Sequence, residues 1–171
     1  ISLIQFQLII RNILQELLSK NQGFMLHTSG NLINGKAYLF LAPSGGGKST
    51  IMTMLSDKYK PIASDTIIIK KEKKDYFIYQ TPFLEKDSWV KKDKEKYPLG
   101  KIFFLKKANF FKIEKIENKK EILNLILKQF WVNEEKFKKN IKQVFKFIKK
   151  KDYYLLSFKK NKNELKKIIK L

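Results

Sequence analysis

Apolar side chains recur at helical spacing through the first part of the chain. Over residues 3–20 this spacing predicts an amphipathic helix that ends near Asn21 to Gly23. Polar residues interrupt the apolar run, so we do not expect the segment to span a membrane. We expect the helix to pack as a cap through one apolar face, which carries Ile4, Leu8, Ile9, Leu14, Leu17 and Leu18.

Short apolar runs between residues 24 and 80 predict strands arranged around one helix. The Asn34-Gly35 dipeptide predicts a tight hairpin, because a type I′ turn needs positive φ angles at both central residues. A buried strand is predicted at 37–41, and a helix from near Lys48 to about Asp57. The remaining extended segments are predicted at 24–28, 31–33, 61–64, 66–70 and 76–80, the last two pairing across a charged turn.

The second half of the chain continues this alternation after one irregular segment. Residues 81–98 have no regular apolar period and carry two prolines with many charges, which predicts a long functional or mobile loop. Strands are predicted at 102–105, 110–116 and 153–158, two helices within 119–150 broken around Asn133, and a closing helix near 165–169. Because we find neither a repeat nor a linker, we expect one α/β domain with a mixed sheet flanked by helices.

Composition excludes several classes of site. The 171 residues are enough to bury a core without covalent staples. The absence of cysteine excludes disulfides, thiolate metal sites and cysteine nucleophiles. We see no secretory signal pattern and expect a soluble, cytoplasmic protein, with homo-oligomers left open.

Lysine dominates the charge of the chain. Lys and Arg together number 37 against 16 Asp and Glu, giving a formal net charge of +21, and Arg11 is the single arginine. Reading of nucleic-acid bases and clamping of the backbone usually draw on arginine. We therefore interpret the lysines mainly as a solvated surface and disfavour a nucleic-acid partner, while attraction to an acidic partner stays open.

The strongest chemical motif is a glycine-rich segment between a predicted strand and a predicted helix. It reads as a Walker A pattern with alanine in the first position: Ala42-Pro43-Ser44-Gly45-Gly46-Gly47-Lys48-Ser49-Thr50. In this context the loop N–H groups and the helix N-terminus make an anion site. We expect Lys48 to reach the β- and γ-phosphates of a nucleotide and the Ser49 hydroxyl to bind Mg²⁺, with Ser44 and Thr50 as further contacts.

Asp65 and His27 are the candidates for catalysis. Asp65 ends the strand predicted at 61–64, and a crossover helix followed by a neighbouring parallel strand would bring its carboxylate beside the glycine-rich loop. There it could hold Mg²⁺, directly or through water, or accept a proton from an attacking hydroxyl. The alternative is that Asp65 caps a turn with Thr66. His27, the only histidine, fits either a structural or a functional role.

These residues resemble the HPr serine kinase family and its compact relatives, whose P-loop fold is similar to the nucleotide-binding core of phosphoenolpyruvate carboxykinase. The resemblance rests on residues 25–30 and 33–41, the glycine-rich motif and residues 63–65, with weaker agreement at 81–83, 98–105 and 152–158. It implies a single P-loop kinase domain over 1–171. The implied parts are an N-terminal helix at 1–22, a nucleotide-binding core at 23–118, and C-terminal helices with one strand at 119–171.

The resemblance also implies roles for individual residues. Lys48 and Ser49 would hold nucleotide and metal, Asp65 would activate a serine hydroxyl, and His27 would lie in the same active site. The family often has a second aspartate where Thr66 stands here, so metal binding would draw on Ser49, water and Glu85. The arginine-containing signature that serves dephosphorylation in full-length HPr kinases is missing, so we expect a kinase without phosphorylase activity.

Three functions follow from these observations. The leading one is an ATP-dependent, Mg²⁺-requiring kinase that phosphorylates a hydroxyl, first of all serine, on a small protein, a peptide or a metabolite. The second is a nucleotide-binding regulatory module without turnover, favoured by the missing second aspartate. The third is a nucleic-acid-associated ATPase. The nature of the acceptor and the choice between ATP and GTP as donor stay open.

Overall fold

A mixed β-sheet forms the centre of the protein. The computed structural model describes residues 2–130 and 134–169. Within these residues the strands are β1 (Gly23–His27), β2 (Ser29–Ile33), β3 (Lys36–Leu41), β4 (Pro61–Ala63), β5 (Thr66–Glu72), β6 (Asp75–Gln80), β7 (Lys96–Lys107), β8 (Lys112–Ile116) and β9 (Tyr153–Phe158). The helices are α1 (Leu3–Lys20), α2 (Lys48–Leu55), α3 (Lys119–Leu127), α4 (Glu134–Lys150) and α5 (Lys166–Ile169), the last preceded by a 3₁₀ turn at Lys162–Leu165.

The order of the strands is β1-β5-β6-β7-β3-β2-β4, and β9 pairs with both β7 and β8. The long strand β7 joins the two halves of the sheet, because it pairs antiparallel with β6 near its start and parallel with β3 and β9 further along. The protein is therefore a single mixed α/β domain, as the sequence predicts. The predicted break near Asn133 falls in residues 131–133, which lie outside the described residues.

Buried side chains form clusters on both faces of the sheet. Alternate residues of β3 separate them: Leu39 and Leu41 belong to the cluster under α3 and α4, while Tyr38 and Phe40 belong to the cluster under α2 and α5. This alternation is expected of a strand that is covered on both sides. Because β3 is buried on both faces, it holds the start of the following segment, residues 42–47, in a fixed position.

Helix α1 begins and ends as predicted, but it packs through only part of the predicted face, Leu14 and Leu18. Its first turn is closed by a capping box in which the Ser2 hydroxyl accepts from the Gln5 N–H at 3.2 Å and the Gln5 side chain accepts from the Ser2 N–H at 2.9 Å. The packed residues are Ile10, Leu14 and Leu18, which contact a small cluster with Met25, Ile68 and Phe83.

Much of the predicted apolar face of α1 is exposed to solvent, so this part of the prediction was wrong. Ile4 is 73% exposed, and Leu8, Ile9 and Leu17 are also about half exposed. The reason is the narrowness of the support, since α1 rests on the edge of the sheet formed by β1 and offers it one stripe of side chains. None of the described helices combines the length and the apolar character that a membrane span requires.

The strand predicted before Asp65 also lies elsewhere than expected. β4 pairs antiparallel with β2, and β2 separates it from β3. Asp65 therefore is not brought to the glycine-rich loop by a strand directly beside β3. The prediction failed because the β2–β3 hairpin inserts one more strand between them, and the length of a connection does not reveal such an insertion.

Candidate active site

The glycine-rich loop joins the end of β3 to the start of α2, and its backbone requires glycine. Gly45 and Gly47 have φ angles of 73° and 100°, which L side chains rarely adopt. A Cβ atom at Gly46 would lie 2.5 Å from the Cβ of Ala42, and one at Gly47 would lie 2.8 Å from the ring of Phe158. Glycine is therefore required for the conformation and the close packing of the loop at the N-terminus of α2, where the first N–H groups have no partner within the helix.

A cavity of about 360 Å³ opens over this loop. Its lining contains every predicted loop residue from Ser44 to Thr50 together with both catalytic candidates, and it adds two residues that the sequence did not point to: His27, Ser44, Gly45, Gly46, Gly47, Lys48, Ser49, Thr50, Ser64, Asp65 and Lys86. Two lysines and one carboxylate thus face the same space. Pockets that hold small molecules commonly have volumes in the range of about 300–1,000 Å³.

Lys48 is buried and held by the loop itself. Its Nζ donates to the carbonyl oxygens of Ala42 at 2.6 Å and Pro43 at 3.2 Å. Burial lowers the pKa of Lys48, the charge of Asp65 opposes that shift, and the charge of Lys86 adds to it. An anion in the cavity would add a second negative charge near this ammonium group.

The pairing of β1 with β5 brings His27 and Asp65 together. His27 lies opposite Thr66 in this antiparallel register, and Asp65 is the residue just before β5. The Nδ1 atom of His27 lies 3.2 Å from Oδ1 of Asp65, while the Thr66 hydroxyl donates to the other carboxylate oxygen at 2.9 Å. Backbone hydrogen bonds hold both residues in place. The Thr28 N–H donates to the carbonyl oxygen of Asp65, and the His27 N–H donates to the carbonyl oxygen of Gln129.

These contacts keep Asp65 ionised. The hydrogen bond from His27 is the main cause that lowers the pKa of Asp65; partial burial opposes it, and the Thr66 hydrogen bond and the charges of His27 and Arg11 add to the lowering. At neutral pH the group is therefore a carboxylate that can accept a further hydrogen bond. It remains about 29% exposed, so a ligand can reach it.

Glu85, the predicted second metal ligand, is not among the residues that line the cavity. Its side chain is only 3% exposed, and Oε2 accepts from the N–H and the hydroxyl of Ser64 at 2.8 and 3.0 Å. Its other oxygen accepts from Lys92 at 2.9 Å. The Glu85 carboxylate thus links the segment after β6 to Ser64, the residue preceding Asp65.

The segment between β6 and β7 is shorter and better anchored than the sequence predicted. It covers 81–95, because β7 begins at Lys96. Phe83 and Val90 are buried, and Asp93 accepts from Lys60 and from Tyr97. The segment is therefore packed against the rest of the domain, and its Lys86 lines the cavity.

We expect Glu85→Gln to lower the free energy of unfolding by roughly 1–2 kcal/mol, because the amide retains one acceptor but loses the charge that strengthens these hydrogen bonds. For a chain of this size the melting temperature should fall by about 3–6 °C. Thermal unfolding followed by circular dichroism measures this change, and Glu95→Gln, exposed in the same segment, is the control. An unchanged melting temperature with a raised requirement for Mg²⁺ in nucleotide binding would support a metal ligand at Glu85 instead.

The site offers few ligands to a metal ion. Among residues 2–130 and 134–169 no group of three or more His, Asp or Glu side chains is arranged to hold one. The Ser49 hydroxyl and the Asp65 carboxylate nevertheless face the same cavity. This pair suits a cation that takes its remaining oxygen ligands from water and phosphate, as Mg²⁺ commonly does.

Sequence reasoning missed three residues near the site. Ser64 and Lys86 line the cavity, and the charge of Arg11 in α1 acts on Asp65. Ser64 could have been suspected as the neighbour of Asp65, and Lys86 from its place in the predicted functional loop. For Arg11 no local signal exists, because only the packing of α1 against Phe83 brings it near.

The chain is similar to known proteins over most of its length. A family model described as SynChlorMet cassette protein ScmC matches residues 1–152. No curated protein matches the chain significantly. Among solved structures, the Hpr(Ser) kinase/phosphatase from Coxiella burnetii is similar with a TM-score of 0.46 and 13% sequence identity, over 86% of this chain and 92% of that one. A similarity at this level carries no conclusion about activity.

Proposed function

This chain belongs to the SynChlorMet cassette protein ScmC family, and we propose that it is an ATP-dependent, Mg²⁺-requiring kinase that phosphorylates a hydroxyl of a small protein or peptide in the cytoplasm. The observation that carries the proposal is the convergence of the glycine-rich loop, Lys48 and an ionised Asp65 on one cavity. A phosphate-binding surface and a proton acceptor then face each other.

The loop and its lysines fit the phosphates of a nucleotide. The bare backbone at the N-terminus of α2 supplies N–H donors and the positive end of the helix dipole. Lys48 would leave the carbonyls of Ala42 and Pro43 to meet the β- and γ-phosphates, and Lys86, which also lines the cavity, adds positive charge. Phosphoryl transfer needs mainly such positioning and charge neutralisation.

The residues at the cavity also fit a bound Mg²⁺ ion. We assign the Ser49 hydroxyl as its protein ligand, with water and phosphate oxygens as the remaining ligands. When bound, the ion neutralises charge on the β- and γ-phosphates. Glu85 is the weaker candidate, because its carboxylate already accepts from Ser64 and Lys92.

Asp65 is assigned as the group that accepts the proton of the attacking hydroxyl. The hydroxyl oxygen forms a bond to the γ-phosphorus, the bond from that phosphorus to the β–γ bridging oxygen breaks, ADP leaves, and the proton passes to the carboxylate. His27 and Thr66 bind the two oxygens of Asp65 and so fix its orientation. In this proposal His27 positions Asp65.

The direct test is incubation of the protein with γ-labelled ATP, Mg²⁺ and serine-containing acceptor peptides, followed by mass mapping of the phosphorylated residue. We expect label on a peptide hydroxyl and none when Mg²⁺ is chelated. GTP in place of ATP, in a parallel reaction, identifies the donor. A reaction without acceptor is the control for simple hydrolysis.

Two results would favour the other functions. Nucleotide binding measured by calorimetry without any transfer would indicate the regulatory module, for which the single carboxylate at the cavity is the supporting observation. ATP hydrolysis that single-stranded DNA stimulates would indicate the nucleic-acid-associated ATPase.

A further inference from the structure

A second cavity reaches Asp65 from the side of α1. It measures about 340 Å³ and is lined by six side chains of that helix, Ile4, Gln7, Leu8, Arg11, Asn12 and Gln15, together with Asp65. We call this space the α1 groove. It is separate from the cavity over the glycine-rich loop, and Asp65 is the residue that the two linings share.

This arrangement gives the Asp65 carboxylate two approaches. In the proposed kinase, the triphosphate fills the approach over the loop, so the acceptor hydroxyl has to arrive by another. The α1 groove ends at the same carboxylate that accepts the proton. A hydroxyl entering through it would meet Asp65 on one side and the γ-phosphate on the other.

We propose that the α1 groove binds the acceptor, and that the acceptor is an extended, acidic peptide segment that carries the serine. This proposal rests on the proposed kinase function and names its substrate class. The groove and its shared carboxylate are the observations that carry it.

The lining of the groove fits a peptide backbone. Gln7, Asn12 and Gln15 provide side-chain amides, each of which both donates and accepts hydrogen bonds, as a peptide group does. Ile4 and Leu8 lie exposed at the groove and offer apolar surface to a side chain of the ligand. Amides that bind the peptide backbone and an apolar rim that contacts a side chain can together hold an extended peptide without selecting a single sequence.

The positive charge of Arg11 and of the whole chain favours an acidic peptide over a basic one. The Arg11 guanidinium lies 4.9 Å from the centre of the Phe83 ring, which holds the arginine in place at the groove. Its planar fork suits a carboxylate. The formal charge of +21 on the chain attracts acidic ligands and repels basic ones.

Binding can be tested without turnover. We would add an acidic pool of serine-centred peptides flanked by Asp and Glu to the full chain, and record the side-chain amide signals of Gln7, Asn12 and Gln15 by NMR. The control is a pool with Lys in place of the acids. We expect the three signals to shift with the acidic pool alone. Unshifted amides, or equal shifts with both pools, would overturn the proposal, and shifts confined to other surfaces would place the acceptor elsewhere.

A matched pair of variants tests the link to catalysis. Gln7→Ala combined with Asn12→Ala should raise the KM for the acidic pool by roughly tenfold, as expected for the loss of two neutral hydrogen bonds, while the affinity for ATP stays unchanged. Phe6→Ala combined with Ile13→Ala changes exposed residues of the same helix outside the groove and should leave the KM unchanged. Equal effects of the two variants would show that α1 matters only for packing. If the parent protein does not bind ATP, the proposed kinase function is overturned. The NMR titration still shows, independently of ATP, whether the α1 groove binds acidic peptides.

Discussion

Asp65→Asn should lower the rate of phosphoryl transfer by about 10²-fold or more and leave ATP bound. An asparagine of the same shape still accepts from Thr66, but it cannot take the proton that the attacking hydroxyl loses, and a positioned general base typically contributes a factor of this size. The carboxylate is ionised at neutral pH, because the hydrogen bond from His27 lowers the pKa of Asp65. Single-turnover transfer from labelled ATP and calorimetric titration with ATP measure the two quantities.

Asp57→Asn is the matched control, since this carboxylate lies on the surface beyond α2 and pairs with Lys162. It should leave both transfer and binding unchanged. If Asp65→Asn instead loses Mg²⁺-dependent binding of ATP and regains transfer with excess metal, Asp65 acts as a metal ligand. The assignment of the proton acceptor would then be wrong.

Local conformational signals predicted much of the fold. Asn34 and Gly35 have φ angles of 49° and 73°. Positive φ angles at both central residues are what the predicted type I′ hairpin turn requires. Gly47 has a left-handed φ angle, and α2 begins at the next residue, as the glycine-rich motif requires. Such signals act between neighbours in the chain, so the sequence contains all of the information that they need.

Pairings between distant segments were not predictable in the same way. The sequence gives no sign that β2 lies between β3 and β4, or that β7 extends back to Lys96 to join β6. Equally, the apolar residues of α1 allow several packing faces, and the narrow edge of the sheet selects Ile10, Leu14 and Leu18. These outcomes depend on which surfaces the rest of the chain leaves available.

The same distinction applies to the candidate site. The loop residues are contiguous, so their common location follows from one motif, whereas His27 meets Asp65 through the register of β1 with β5. Lys86 and Arg11 reach the site from a loop and from a helix that carry no motif for it. A resemblance could suggest His27, but only packing brings Lys86 to the cavity and Arg11 near the carboxylate.

Lys48→Ala should weaken the binding of ATP by about 10²-fold and leave the binding of adenosine nearly unchanged. The lysine is placed to meet the β- and γ-phosphates, and hydrogen bonds from a charged donor contribute about 1.5–3 kcal/mol each. Adenosine carries no phosphate, so it reports whether the rest of the cavity remains intact. Calorimetric titration of each variant with both ligands measures the difference.

Two controls separate the loss of charge from a loss of structure. Lys48→Met keeps the length of the buried side chain and should weaken ATP binding as strongly as alanine does, because neither residue can donate to phosphate. Lys58→Ala removes an exposed lysine just beyond α2 and should have little effect, since a remote surface charge is screened by salt. Equal weakening of ATP and adenosine by Lys48→Met would mean that the lysine supports the loop through the carbonyls of Ala42 and Pro43 and that phosphate binds elsewhere.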